Sequence, residues 1–93
     1  MKITYDPIKS LWNASERQLP FDRAVDFQWW DAHVVEDTRY IYPEQRLIAI
    51  GYLDRRLHVL CFTPEDSGIR VISFRKANSR EARRYGKPLT TNR

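Results

Sequence analysis

Between residues 46 and 74 three strand-length runs, RLIAIGYL, LHVLCFT and IRVISF, follow one another with only DRR and PEDSG between them. All three are rich in Val, Ile, Tyr and Phe, side chains that suit a pleated, half-buried surface. The intervening gaps are the size of hairpin loops. This pattern holds the chain to an antiparallel meander. AHVVEDT, residues 32–38, has the same character and supplies a fourth strand ahead of the others.

The flanks read as helices. Asp6-Pro7 is a start signal, an acceptor cap followed by a residue preset for the first helical position, and Ile8, Leu11 and Trp12 then recur at i, i+3 and i+4. A short helix over about residues 7–16 is expected, with that apolar face on the sheet. A second helix is expected after Leu19-Pro20, where Phe21, Ala24, Val25 and Gln28 share a face and Asp22 favours the N-terminal end, with Trp29 and Trp30 closing it against the core. After the last strand, Ala77-Asn78-Ser79 opens a third helix. Asn78 or Ser79 is its cap, Glu81 completes a capping-box pair with Asn78, and Gly86 and Pro88 stop it. The expected fold is α+β: two N-terminal helices, a four-stranded mainly antiparallel sheet and a C-terminal helix. At 93 residues this is one domain, 1–93. Arg75 and Lys76 are expected to run from the last strand straight into the first turn of the last helix.

Several classes of function fall away. Cys61, the single cysteine, sits inside an apolar run and reads as a small buried hydrophobe, so no disulfide framework or cysteine-based zinc site is expected and the chain reads as cytoplasmic. MKITYDPIKS lacks the apolar core of a signal peptide, and the apolar runs fall far short of a membrane span of ~20 residues. No HExxH, glycine-rich phosphate loop or His/Asp/Glu cluster at metal-ligand spacing occurs, so neither a metal nor a cofactor is expected.

Charge is the strongest functional signal. Residues 1–68 hold eight Lys/Arg against eleven Asp/Glu, net −3, whereas residues 69–93 hold eight against one, net +7. That asymmetry points to a polyanion or an acidic partner meeting the C-terminal quarter. Six of those eight basic residues are Arg, whose planar fork matches phosphate oxygens. Arg80, Arg83, Arg84 and Lys87 recur at three- and four-residue spacings, a like-charged face that disfavours the helix unless something anionic meets it. On the last strand, alternation places Arg70, Ile72 and Phe74 on one face and Ile69, Val71, Ser73 and Arg75 on the other.

Cleaving RNA without a metal requires a base, an acid and cations for the charged transition state. His58, Glu44, Glu81 and Tyr85 are the candidates for proton transfer. His58 reads equally as a satisfied structural histidine, His33 as structural, and Glu81 as the capping-box acid. Three classes stay open: a ribonuclease, a nucleic-acid-binding protein without catalysis, and an interaction protein whose basic C-terminus meets an acidic partner.

DPIKSLWNASERQLPF, EDTRYIYPEQRLIAIGYLDRRLHVLCFT and above all IRVISFRKANSREARRY resemble the BrnT family of type II toxins, distant members of the RelE superfamily. The resemblance spans nearly the whole chain, and its last block is specific. It implies a RelE-like fold, ribonuclease activity that arrests translation and growth, and neutralisation by a DNA-binding, BrnA-like antitoxin, with the free toxin a monomer. Carried onto this chain, the family's pattern falls on Arg39, Glu44, Arg46, His58, Thr63, Arg70, Ser73, Arg75, Lys76, Glu81 and Tyr85. The roles it suggests are proton transfer by His58, with Glu81 a further catalytic candidate, the scissile phosphate for Arg70 and Arg75, and a base contact for Tyr85. RNA binding falls to Arg39, Arg46, Lys76, Arg80, Arg83 and Arg84.

Overall fold

The computed structural model describes residues 1–92 and departs from the expected layout in two places, though it stays α+β. Its sheet has five strands, not four, and is mixed. In chain order these are β1 (Lys2–Tyr5), β2 (His33–Glu36), β3 (Leu47–Leu53), β4 (Arg56–Glu65) and β5 (Gly68–Lys76), arranged in space as β1-β5-β4-β3-β2. The meander β2 to β5 is antiparallel, and β1 adds to its edge parallel to β5, with Lys2 opposite Gly68 and Tyr5 opposite Val71. Four residues ending at a helix cap carry no turn signal of their own, so KITY did not read as a strand. Gly68 makes the pairing possible: a Cβ there would lie 1.9 Å from the carbonyl oxygen of Lys2.

Only one of the two N-terminal helices is an α-helix. Helix α1 (Pro7–Arg17) starts as expected, with Asp6 accepting from the Ile8 amide at 2.9 Å and Pro7 in the first turn. Residues 21–26 instead form a 3-10 segment, with Arg23 N donating to Pro20 O and Phe27 N to Ala24 O. The residues it buries, Phe21, Ala24 and then Phe27, recur every three positions, the period of a 3-10 helix, and Val25 faces solvent. A second short 3-10 turn, Trp29–Asp31, packs Trp29 edge-on against Phe27 and Phe62 while Trp30 points outward.

These segments cover one face of the sheet. Leu19, Phe21, Ala24 and Phe27 pack on Ala49, Leu53, Leu60, Phe62, Ile69, Val71 and Phe74. The opposite face carries a smaller cluster of Ile50, Tyr52, Leu57 and Val59, roofed at one end by Ala77 and by Ala82 of helix α2 (Ser79–Tyr85). Helix α2 has the expected capping box, Asn78 Oδ1 accepting from Glu81 N and Glu81 Oε1 from Asn78 N, each at 2.9 Å, and ends at Gly86 in the left-handed conformation. Arg75 and Lys76 stay in the strand, and two residues separate them from the helix.

The expected alternation on β5 fails for an identifiable reason. Cys61 pairs with Ser73 but Phe62 pairs with Val71, so Ile72 is the extra residue of a β-bulge. The bulge resets the pleat. Ile69, Val71 and Phe74 all face the covered core, and Arg70, Ser73 and Arg75 come to share the open face.

Candidate nucleic-acid site

Beyond the roof of α2, the open face forms a cleft of about 290 Å³. Its floor is Ile48 and Ile50 from β3, Val59 and Cys61 from β4, and Ser73 and Arg75 from β5. Its walls are Glu81, Arg84 and Tyr85 from α2 and Arg39 from the loop after β2. Three guanidinium groups and one carboxylate therefore line it.

That carboxylate is fully engaged. Arg75 Nη1 and Nη2 donate to the two oxygens of Glu81 at 2.9 and 2.7 Å, and the Asn78 amide takes one oxygen as well. The Arg75 hydrogen bonds hold Glu81 below the usual carboxylate range despite partial burial, and Arg75 is raised in turn, chiefly by the same bonds. A carboxylate so paired is a poor proton carrier. In this geometry Glu81 orients Arg75 and starts α2.

Arg39 is positioned in the same manner. Asp37, with its side chain out of solvent, accepts from Arg39 Nε at 2.9 Å, Arg39 Nη2 at 2.8 Å, the Arg39 amide at 3.2 Å and Tyr42 Oη at 3.1 Å. The Arg39 side chain itself remains largely exposed, so its guanidinium can still meet a ligand. Those bonds, the Arg39 side chain's first, hold Asp37 far below the normal carboxylate value. Because the folded-state value is the lower one, this contribution is complete above the unfolded value of 3.8 and disappears as pH falls below it. Melting temperature followed from pH 7 to pH 3 is expected to fall more steeply for the wild type than for Asp37→Asn. Parallel curves for the two would show that Asp37 does not anchor this loop.

Tyr85 is half-buried at the rim. The His33 ring lies 5.1 Å away and the Arg84 guanidinium 5.6 Å from the tyrosine ring centre. His33, read as structural from sequence, is in fact exposed on the open face, because the β2–β3 register pairs it with Ile50. Nothing in AHVVEDT signals this: two adjacent valines leave the pleat phase of that strand undefined.

The other expected site residues scatter. Arg70 shares the open face but sits at the β1 end of β5, five residues before Arg75, roughly 15 Å at strand rise. Arg46 stacks on Tyr42 at 4.2 Å near Glu44, outside the cleft, and Arg80 and Arg83 are exposed on α2 beyond its lining. His58 does not line this cleft with Tyr85, although it shares a second groove with Arg75 and Lys76. It pairs across the sheet with Lys76 on the covered side, only 4% exposed, packed on Phe74, with Nδ1 2.7 Å from the Arg56 carbonyl. A carbonyl only accepts, so Nδ1 carries the proton, and burial first of all pushes the imidazole below its usual value.

Among the described residues no three His, Cys, Asp or Glu side chains gather as a metal site, and no helix is long and apolar enough to cross a membrane. A cleft of guanidinium groups and an aromatic ring on the open sheet face is a cationic surface of the kind that meets a polyanion. Residues 5–81 match the family model described as ribonuclease toxin, BrnT, of type II toxin-antitoxin system, and the chain belongs to that family. The comparison with curated proteins returns no match. Membership brings, at the level of the family, a ribonuclease toxin that works opposite an antitoxin.

Proposed function

We propose that this chain cleaves RNA in the open-face cleft by driving the ribose 2′-hydroxyl onto the adjacent phosphate, with guanidinium groups rather than a metal ion stabilising the transition state, and so arrests translation and growth in the cytoplasm. The observation that carries this reading is the convergence of Arg75, Arg39 and Arg84 beside Tyr85 in one cleft. Arg75, held by Glu81, meets the scissile phosphate and its developing charge. Arg39 and Arg84 bind neighbouring phosphates, and Tyr85 stacks on or hydrogen-bonds a base. Proton transfer falls to His33 or Tyr85, since His58 lies on the far side of the sheet and Glu81 is consumed by its ion pair. The free toxin is a monomer, and a DNA-binding antitoxin of the BrnA kind neutralises it.

Induced expression in a bacterial host is expected to arrest growth with decay of total RNA, reversed by co-expression of the antitoxin. The purified chain is expected to yield fragments ending in 2′,3′-cyclic phosphate in the presence of EDTA. Cleavage that stops on chelation would overturn the metal-free chemistry. Intact RNA with a folded chain that still binds RNA would leave a binding module in place of an enzyme.

A further inference from the structure

Helix α1 is inverted relative to its sequence pattern. The apolar ridge expected to face the sheet, Ile8, Leu11 and Trp12, is 78%, 71% and 55% exposed, while the residues it buries are Ser10 and Asn13. Hydrogen bonds hold it in this orientation: Ser10 Oγ accepts from the Phe21 amide, and Asn13 Nδ2 donates to the carbonyls of Leu19 and Phe74. A short helix thus carries three large apolar side chains on one exposed ridge, a continuous patch rather than scattered surface hydrophobes.

Next to the C-terminal end of that ridge opens a groove of about 790 Å³, lined by Arg17, Arg23, Arg56, His58, Lys76 and the single acid Asp54, among others. Arg17 joins the two features, since its guanidinium lies 5.2 Å from the Trp12 ring centre and also lines the groove. Arg23 is taken up by Asp26 and Asp54, Arg56 by the carbonyls of Leu57 and Ala77, and Arg75 by Glu81, which leaves Lys76, and Arg17 with only its Nη1 committed to Asn13 Oδ1, as the cations best placed for an incoming carboxylate.

We propose that the α1 ridge and this groove form one docking surface for the antitoxin, occupied by an amphipathic helix. Its apolar stripe covers Ile8, Leu11 and Trp12, and its flanking carboxylates reach Arg17 and Lys76. The proposal rests on the toxin reading for the identity of the partner. Charge decides among occupants. The groove carries five Lys/Arg against Asp54 and calls for acid. A second copy of this chain, meeting patch to patch, would bring cationic groove against cationic groove. RNA would satisfy the cations but offers nothing apolar for Ile8 and Leu11, since bases stack on flat aromatic faces. Arg75 lines both the groove and the cleft, but Ile8, Leu11, Trp12, Arg17 and Lys76 lie outside the cleft, so anchoring the antitoxin on the ridge and covering the catalytic groups are separate tasks for separate antitoxin segments.

The test measures affinity of the full chain for the antitoxin encoded beside it, by calorimetry, for wild type, the double variant Leu11→Ser/Trp12→Ser, and Arg17→Glu. The ridge variant is expected to bind about 30-fold or more weaker, the loss typical of a buried hot spot, and Arg17→Glu about 10-fold weaker with a reduced salt dependence. RNA cleavage should stay at the wild-type value in both, and melting temperature should stay there in the ridge variant and fall by several degrees in Arg17→Glu, which loses its bond to Asn13 Oδ1. Ridge-variant affinity within threefold of wild type overturns the proposal. So does a wild-type dimer in sedimentation that the ridge variant dissolves, which assigns the ridge to a second copy, or a loss of RNA affinity in that variant, which assigns it to RNA. A wild-type chain that cleaves no RNA but loses the antitoxin through these substitutions would sink the enzymatic reading and leave the docking surface standing.

Discussion

Arg75→Ala is expected to lower the rate of RNA cleavage by about 10²–10³-fold, the loss that follows removal of one preorganised charge donor from a transition state. The effect belongs to the chemical step, because Arg75 is held in place by Glu81 through two charge-assisted hydrogen bonds before any ligand arrives. KM should therefore change less than kcat. Arg75→Lys keeps the charge but not the fork, and should recover only part of the rate. Glu81→Gln is the informative companion: glutamine still accepts from the Asn78 amide and keeps the capping box, so α2 persists while the charge pair is lost. A loss of about tenfold in kcat, with melting lowered only by the lost ion pair, is expected if Glu81 acts by orienting Arg75. Wild-type kcat in Arg75→Ala, with folding intact, would remove the cleft from the chemistry.

The parts of this molecule that local chemistry dictates were legible in the chain. Asp6-Pro7 capped α1, Asn78 and Glu81 formed the capping box, and four strand-length runs rich in Val, Ile, Tyr and Phe gave the antiparallel meander in the expected order. Long-range geometry was not. The edge strand β1 depends on Gly68 letting the Lys2 backbone approach, a contact across 66 positions that leaves no local trace. The bulge at Ile72 reversed the pleat assignment of half of β5, and with it the partners of Phe74, Ser73 and Arg75.

For the site, sequence named the residue types and missed the grouping. Arg75, Arg84, Arg39, Glu81 and Tyr85 come together because a strand end, a helix and a loop anchored on Asp37 converge. Periodicity along the chain has no means of expressing that convergence. His58 and His33 exchanged places for the same reason, since register, not composition, decides which sheet face a histidine meets.

The reversed orientation of α1 implies a reversed order of sensitivities. Asn13→Leu, a polar-to-apolar change of similar size in a helix, is expected to destabilise the fold by about 2–4 kcal/mol, because it strips two buried carbonyls of their donor and each unsatisfied group costs about 1–3 kcal/mol. Asn13 is 1% exposed, and its amide donates to Leu19 O at 2.7 Å and Phe74 O at 2.8 Å, the latter beyond the point where β1 has left β5. Its own oxygen accepts from Arg17 at 3.1 Å, so one side chain ties α1 to the sheet, to the turn that follows and to its last residue. For a domain of 93 residues the loss corresponds to a fall in melting temperature of roughly 10–25 °C. Leu11→Ser, two residues earlier on the same helix, removes a large hydrophobe from a position 71% exposed and should cost no more than about 0.5 kcal/mol, the ordinary range for a surface change. Thermal unfolding of the two variants beside wild type decides the matter. If Leu11→Ser proved the more damaging, the apolar ridge would face the core in solution, and neither the hydrogen-bonded seating of α1 nor the docking surface built on it would survive.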